Sequence, residues 1–376
     1  PPPPRGGGGG GAPPAAWRSA RQLGAGAEAA VVDASDSQSL THFSRGCATV
    51  LDCSGTAFTL RGRVRASVLA AGVHYVGMTD DGGSRTPAGP RSAVLFTGLS
   101  GTLAGWVPRW LAEGLDSATR FSGWWGGLGA IPPHTAVSCL LGKRLAVDLP
   151  EERHGAGGPA TGPAGGGTGG RDTGTEAADD ELRALAGELP APAPPLPPHA
   201  VAVRRVLPEE LRQQAYLLRL QEAHWHEVLK GPGVPAFLDR FALGRPAAGD
   251  GGALMAAARE LANASLRDAA GSPPYQVMYG SLDGLAPDGT PVRRTALLHC
   301  TDVSGLVGVI ASITTDEVTR GRVPSGVHVM AATLPPGDTA DWITRHLPRT
   351  TARTTEVPTG GPGMMTSASP SARRPG

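Results

Sequence analysis

Small polar residues follow a short apolar run near residue 50, a pattern typical of a buried strand that ends at a ligand. Residues 48–51 are largely apolar, and a small polar segment begins at Asp52. In parallel sheets such runs are buried strands, and the loops at their carboxyl ends contact ligands. The predicted ligand-contacting residues of this loop are Cys53, Ser54, Gly55 and Thr56.

Groups that can transfer a proton lie in and just after a second β-rich run. This run covers residues 73–76, ends at Gly77 and is followed by polar residues 79–81. A tyrosine, histidine or carboxyl group within reach of a reacting atom can act as a general acid or base. We take Tyr75 and Asp80 as the candidate catalytic residues, with His74 and Asp81 as alternatives. A second interpretation of Tyr75 is a core residue whose hydroxyl is satisfied internally.

The spacing of apolar residues between the two runs predicts a helix. Leu60, Val64 and Val68 recur four residues apart within residues 59–72, and Gly72 supplies the stop. A strand, a helix and a strand within about thirty residues form a right-handed βαβ unit of a doubly wound sheet.

A glycine run and a downstream acid fit the phosphate and ribose contacts of a dinucleotide. Residues 6–11 are glycine, residues 13–23 predict a helix, and residues 29–32 predict a strand that ends at Asp33. Dinucleotide folds place the pyrophosphate at such a helix N-terminus and an acid about 20 residues further on at the ribose. A loop or helix cap is the alternative role of Asp33. No Arg or Lys follows it closely, which slightly favours NAD over NADP. The predicted cofactor-binding residues here are Gly8, Gly9, Gly11 and Asp33.

The residues before the glycines conflict with that interpretation. Residues 1–4 are prolines, which lack the N–H group that a central strand needs. Six consecutive glycines also satisfy a G-x-G-x-x-G pattern trivially, so a flexible leader is the alternative. We therefore predict an α/β fold, a Rossmann-like doubly wound parallel sheet whose first strand is missing, with a second α+β domain. Either an apolar strand precedes this sequence, or the domain no longer holds a dinucleotide properly.

Two segments resemble the saccharopine dehydrogenase-like NAD(P)-binding reductases. D-C-S-G-T from Asp52 is similar to the family's N-C-A-G-P strand end, and A-G-V-H-Y-V-G up to Gly77 is similar to its A-G-x-x-Y-x-D motif. R-S-A-V-L-F-T-G-L-S-G-T-L-A-G, residues 91–105, resembles the strand and G-x-x-P-G turn that follow. Gly77 stands where the family has aspartate, and Ser100 stands where it has proline.

The resemblance implies hydride transfer at a C–N or C–O centre of a small biosynthetic intermediate, with NAD or NADP as cofactor. It places the loop after Asp52 beside the nicotinamide. It also implies a substrate domain that begins near residue 117, a homodimer, and substrate contacts at Gly101, Trp125 and Gly127. Core packing is the alternative role of Trp125, and a non-catalytic binding or scaffold protein is the alternative function.

The remaining patterns predict further elements. We expect strands at residues 92–96, 117–125 and 326–334, and a hairpin of residues 275–282 and 292–300 around A-P-D-G-T. The expected helices are one from Thr102 that Pro108 kinks, one from Pro208 with an apolar face to Leu229, and one from Asp302 or Ser304 to Val318.

Composition divides the 376 residues into globular and low-complexity parts. The chain is 40% hydrophobic, and many of its 55 glycines and 36 prolines lie in three segments. The predicted divisions are a leader at 1–12, a dinucleotide-binding domain at 13–116, the start of a substrate domain at 117–146, a disordered insertion at 147–200, an α+β domain at 201–346 and a disordered tail at 347–376.

Charge and motif content argue against several other classes. The net charge is +1 and the arginines are scattered, so we expect a small-molecule substrate and no nucleic acid. No apolar run of about 18 residues and no signal-peptide core occur, so we expect a cytoplasmic protein without a membrane partner. No G-x-S-x-G, H-E-x-x-H or G-K-[ST] loop is present.

No metal site is expected. The four cysteines are widely separated and form no C-x-x-C pair, so reduced thiols are the default. His224 and His226 lie two residues apart on a predicted helix, and such residues point to different faces, whereas zinc ligands on a helix are three or four apart.

Overall fold

The structure is a computed structural model that describes residues 21–22, 26–54, 62–78, 89–133, 135–137, 139–140, 201–244 and 251–359. Its helices and strands are, in chain order, α1 (Ser37–Ser44), β1 (Thr49–Asp52), α2 (Arg63–Ala70), β2 (His74–Gly77), β3 (Ser92–Leu95), α3 (Leu99–Ala112), β4 (Ser117–Leu128), β5 (Val201–Val206), α4 (Glu209–Leu217), β6 (Glu222–Lys230), α5 (Gly233–Leu243), α6 (Gly251–Ala269), β7 (Tyr275–Leu285), β8 (Pro291–Cys300), α7 (Val303–Thr319), β9 (Gly326–Val329), α8 (Met330–Thr333), α9 (Pro336–His346) and β10 (Thr351–Pro358).

The first sheet is parallel and has helices on both faces. Its strand order is β1-β2-β3-β9, and every pairing is parallel. Tyr75, Ala93 and Leu95 pack with residues of α1 and α2 on one face. Val76 and Val94 belong to the core on the other face. This sheet confirms the predicted α/β class and the βαβ unit formed by β1, α2 and β2.

The strand β9 returns from far along the chain to complete this sheet. It pairs with β3 from Ser92 opposite Gly326 to Leu95 opposite Val329. We expected residues 326–334 to form one strand of the α+β domain. That strand prediction is wrong in length and place, because Met330 and Ala331 turn into the buried helix α8, where Ala331 packs against Gly105 of α3.

The second sheet is mixed and has six strands in the order β10-β8-β7-β4-β6-β5. The strand β4 is central and extends to Leu128, beyond the predicted end at residue 125, because Gly126 and Gly127 stay in the ladders to β6 and β7. The hairpin of β7 and β8 is confirmed, and Ala286 donates its N–H to Thr290 across the turn at 2.9 Å. The helix α7 begins as predicted, because the Asp302 side chain accepts from the Gly305 amide at 2.8 Å.

The long helix predicted from Pro208 to Leu229 is wrong. Helix α4 ends at Leu217, Arg219 takes a left-handed φ of 54°, and the chain enters β6 at Glu222. Residues 222–230 contain apolar groups at a spacing that fits a helix or a buried strand. Because this segment pairs with β4 on one side and with β5 on the other, it forms a strand instead of a helix. Trp225 of this strand is fully buried.

Two further predictions at the ends of the described chain are wrong. Residues 29–32 form no strand, since Val32 packs against the α1–α2 core while Val31 is 64% exposed and no strand among the described residues pairs with them. Residues 351–358, expected to lie in a disordered tail, form β10 instead. The β-branched Thr355 bonds Thr295 at 2.6 Å, and Glu356 pairs with Arg294 at 2.6 Å along the ladder to β8.

Helix α3 joins the two sheets through a shared core. Leu103, Trp106 and Val107 of α3 pack in one cluster with Val94 of the first sheet and Trp225 of the second. The helix is fixed from both sides, since Arg109 donates to the Ala331 carbonyl at 2.7 Å and Arg294 donates to the Leu111 carbonyl at 3.1 Å. The helix starts directly after β3, so its N-terminus lies at the carboxyl end of the parallel strands.

Candidate functional site

The carboxyl ends of the four parallel strands form one row. Asp52 pairs with Gly77, Gly77 with Leu95, and Leu95 with Val329. In open parallel sheets ligands bind outside this edge, because loops and helix N-termini leave unpaired polar groups there. The row therefore defines the edge at which a cofactor site is expected.

Asp52 builds a tight turn at this edge. Its Oδ1 accepts from the Ser54 amide at 2.9 Å and from the Ser54 hydroxyl at 2.7 Å, while its Oδ2 accepts from the Tyr75 hydroxyl at 3.0 Å. The Asp52 side chain is only 9% exposed. These two bonds from Ser54 fix the turn, and both Cys53 and Ser54 remain exposed beyond the strand end.

Tyr75 lies beneath this turn and explains the glycine two residues later. It is 1% exposed, and its ring carbon and hydroxyl each lie 2.7 Å from the position that a Cβ at Gly77 would take. A side chain at Gly77 and the present ring of Tyr75 therefore exclude each other. The Tyr75 hydroxyl donates to Asp52 rather than reaching the surface. Its role as a proton donor stays a prediction.

Cys53 lies at the carboxyl edge of the parallel sheet, whereas His74 lies at the opposite edge. Partial burial, and next the Asp52 carboxylate, raise the pKa of the Cys53 thiol, which stays protonated at neutral pH. His74 lies at the opposite, amino end of β2, where its Nδ1 accepts from the Ser92 amide at 3.0 Å. Burial, and next the Arg91 charge, lower the pKa of His74. This position removes His74 from the ligand edge.

Asp33 lies in an exposed loop before α1. Its Oδ1 accepts from the Ser35 amide at 2.8 Å and from the Ser35 hydroxyl at 2.6 Å, and these two bonds lower its pKa. The carboxylate is thus ionised and accessible. No strand leads into it among the described residues 26–33, so the helix–strand context that suggested a ribose contact is absent. The contact itself stays a prediction.

Three polar groups, one from α3 and two from β6 of the second sheet, meet at the N-terminus of α3. The Trp225 indole Nε1 donates to the Ser100 hydroxyl at 3.0 Å, and that hydroxyl lies 3.5 Å from Oε1 of Glu227. Trp125 sits directly opposite Glu227 in the β4–β6 ladder and is partly buried against the same core. This cluster lies on the face of the second sheet that α3 covers, next to the row of strand ends.

Sequence reasoning missed Glu227 because it placed residue 227 on a helix. The signal that was available is Ser100, which replaces the proline of the resembled turn. The serine hydroxyl makes two contacts that a proline ring cannot make.

The two predicted substrate-binding glycines serve close packing. A Cβ at Gly101 would lie 2.9 Å from Oε2 of the buried Glu210, so α3 and α4 approach closely there. A Cβ at Gly127 would lie 2.1 Å from the Tyr275 carbonyl within the sheet. Trp125 is thus the predicted substrate residue that the structure brings to the cluster with Glu227. Gly8, Gly9, Gly11, Gly55, Thr56, Asp80 and Asp81 lie outside the described residues.

His224 and His226 point to the same face of the strand β6, not to different faces as on the predicted helix. His224 receives a bond from Arg205, and His226 stacks on Trp124 with ring centres 5.3 Å apart. Within the described parts of the chain, no three His, Cys, Asp or Glu residues come together as metal ligands do. Nor does any helix there combine the length and apolar character of a membrane span.

Comparisons with known proteins find similarity among solved structures. No protein-family model matches the sequence, and no curated protein matches it. Among solved structures, the chain is similar to an apo, histidine-tagged saccharopine dehydrogenase (L-Glu forming) from Saccharomyces cerevisiae. The TM-score is 0.47 at 11% sequence identity, with 88% of this chain and 90% of that chain covered.

Proposed function

We propose that this chain is an NAD(P)-dependent oxidoreductase that transfers a hydride to or from a C–N or C–O centre of a small biosynthetic intermediate. The observation that carries the proposal is the in-register row of strand ends, with the rigid Asp52–Ser54 turn at β1. Dinucleotides bind at such an edge in doubly wound folds. The motifs around Asp52, Tyr75 and Ser100 supply the reaction class through their family resemblance.

The residues present fit a dinucleotide in two respects. The exposed residues Cys53 and Ser54 follow β1 directly, at the edge of the sheet where a dinucleotide would approach the strand ends. Asp33 offers an exposed, ionised carboxylate of the kind that accepts from ribose hydroxyls. A bound nicotinamide would supply or take up the hydride. NAD is favoured over NADP because the residues that follow Asp33 closely include no Arg or Lys.

The substrate is proposed to lie between the row of strand ends and the cluster of Ser100, Trp125 and Glu227. Trp125 offers an apolar surface, and Glu227 offers a half-buried carboxylate that can accept a hydrogen bond or a proton. Asp80 remains a further candidate proton donor, and Tyr75 acts in this arrangement through its bond to Asp52.

A second copy of the chain is the proposed protein partner. The face of the second sheet opposite α3 carries an aromatic row in which Trp124 lies between His226 and Tyr279. The Trp124 indole N–H is buried and finds no acceptor among the described residues. Aromatic faces of this kind are common at subunit interfaces. Sedimentation of the chain and of Tyr279→Glu tests the dimer, which the added charge should weaken.

A non-catalytic relative is the second candidate. The specific observation in its favour is that the Tyr75 hydroxyl is buried and donates to Asp52, while the described residues 26–33 contain no strand that leads to Asp33. Such a protein would keep the shell of two sheets without a working cofactor site.

Titration with NADH and NADPH, followed by nicotinamide fluorescence and by thermal stability, separates the two candidates. Saturable micromolar binding of one cofactor, weakened by Asp33→Ala, supports the oxidoreductase. A well-folded chain that binds neither cofactor would exclude it and leave the non-catalytic relative.

A further inference from the structure

Four aspartates in the described chain make the same local turn. Asp33, Asp36, Asp52 and Asp288 each accept the amide N–H of the residue two positions on, at 2.8, 2.9, 2.9 and 2.9 Å respectively. Asp33, Asp36 and Asp288 are exposed, whereas Asp52 is 9% exposed. The local hydrogen bonds are therefore shared by all these aspartates. What distinguishes Asp52 is its surroundings.

Asp52 alone of these four is held from a second strand. The Tyr75 hydroxyl donates to its Oδ2 at 3.0 Å, so β2 fixes the side-chain end of a turn that belongs to β1. Three donors thus reach the two carboxylate oxygens, two from Ser54 and one from Tyr75. A carboxylate satisfied in this way and mostly buried presents little of itself to a ligand.

The position of this carboxylate explains two departures from the resembled motifs together. The resembled strand end has asparagine where this chain has Asp52, and the tyrosine motif has aspartate where this chain has Gly77. Asp52 and Gly77 are direct partners in the parallel ladder. The carboxylate of this chain thus lies one strand spacing, about 4.8 Å, from the position that has aspartate in the resembled motif, and the Tyr75 ring occupies the space that a Cβ at Gly77 would take.

We propose that Asp52 is the positioning residue of the cofactor loop: together with Tyr75 it holds Cys53 and Ser54 in the shape that receives the dinucleotide, without touching it. This inference rests on the proposed function for the identity of the ligand. It rests on the hydrogen bonds of Asp52 for the shape of the loop. Tyr75 then acts on the loop through Asp52.

The variant Asp52→Asn distinguishes a role of Asp52 in positioning the loop from direct contact between its carboxylate and the dinucleotide. The Asn Oδ1 can still accept from Ser54, and its amide group can donate to the Tyr75 hydroxyl, so the turn survives without the charge. Alanine removes all three bonds. Positioning predicts that Asp52→Asn keeps the dinucleotide affinity within about threefold, while Asp52→Ala weakens it about tenfold or more.

The test compares NADH and NADPH dissociation constants of the two variants, measured well below their melting temperatures. Asp288→Ala is the matched control, since it removes the same kind of turn from the β7–β8 hairpin and should leave affinity unchanged. Equal losses in Asp52→Asn and Asp52→Ala would show that the charge itself contacts the ligand. An unchanged affinity in Asp52→Ala would show a purely structural role. Either result overturns the proposal.

A second measurement keeps this inference distinct from the proposed function. Hydrogen exchange of the Ser54 amide in the ligand-free chain reports the turn directly, and we expect faster exchange in Asp52→Ala but not in Asp52→Asn. If the unaltered chain binds no dinucleotide, the proposed function fails and the cofactor role of Asp52 fails with it. If the chain binds but Ser54 exchange does not respond, only the positioning role is overturned.

Discussion

The turns at Asp33 and Asp52 are nearly identical in local geometry and differ in everything around them. In both, one carboxylate oxygen accepts from the amide and the hydroxyl of a serine two residues on. The Asp33 turn lies in an exposed loop, whereas the Asp52 turn ends a paired strand and is held by the buried Tyr75. The same D-x-S sequence thus gives a solvent-exposed loop turn in one place and a buried junction between strands in the other.

The largest expected effect is the loss of stability in Asp52→Ala. This change removes three hydrogen bonds at a mostly buried junction, one from the Tyr75 hydroxyl and two from Ser54, so we expect a loss of about 3 kcal/mol in the free energy of unfolding. Urea denaturation measures it, with Asp33→Ala as the matched variant in the exposed turn. Comparable losses in the two variants would abolish the distinction between the turns.

Gly77→Ala should come next. The new Cβ would lie 2.7 Å from the Tyr75 ring carbon and hydroxyl, so the ring must move away from Asp52. Overpacking of this kind costs about 2 kcal/mol. Gly308→Ala is the control, because nothing lies within 4 Å of its added Cβ in α7, and a helical alanine should stabilise slightly. A neutral Gly77→Ala would mean that the Tyr75–Asp52 junction does not depend on this space.

Tyr75→Phe should have a smaller effect than either. It removes one bond to Asp52 and leaves the two from Ser54 in place, so we expect a loss of about 1 kcal/mol. A double-mutant cycle with Asp52→Ala, which removes the bond from the other side, measures the coupling between the two side chains. Strict additivity of the two changes would show that the hydrogen bond contributes nothing of its own.

The sequence allows the elements around this junction to be predicted, but not the junction itself. Apolar spacing and Gly72 predict β1, α2 and β2 to within a few residues, and the A-P-D-G-T turn predicts the β7–β8 hairpin. The bond from Tyr75 to Asp52 joins residues 23 positions apart. It follows only from the parallel register that pairs Asp52 with Gly77, which no local pattern contains.

The polar cluster at the N-terminus of α3 could not be predicted from the sequence for a related reason. Ser100, Trp225 and Glu227 meet because α3 crosses from one sheet to the other, and that contact is tertiary. The spacing of residues 222–230 fits a helix as well as a strand, and pairing on both sides decides between them. The departure at Ser100 was visible in the sequence, but its partner lay on the element that was assigned wrongly.

The smallest expected effect is the pH response of the exposed turn. The hydrogen bonds from Ser35 lower the pKa of Asp33 below 3.8, so the turn favours the ionised carboxylate. The unfolded chain binds this proton at a higher pH than the folded chain does. Any stability that the turn contributes is therefore present above about pH 3.8 and is lost as the pH falls through the folded pKa. Ser35→Ala should raise the pKa of Asp33 towards 3.8, as NMR titration of the carboxyl carbon would record, while urea denaturation at neutral pH should barely change. A large loss of stability in Ser35→Ala would show that the Asp33 turn supports the fold as the Asp52 turn does.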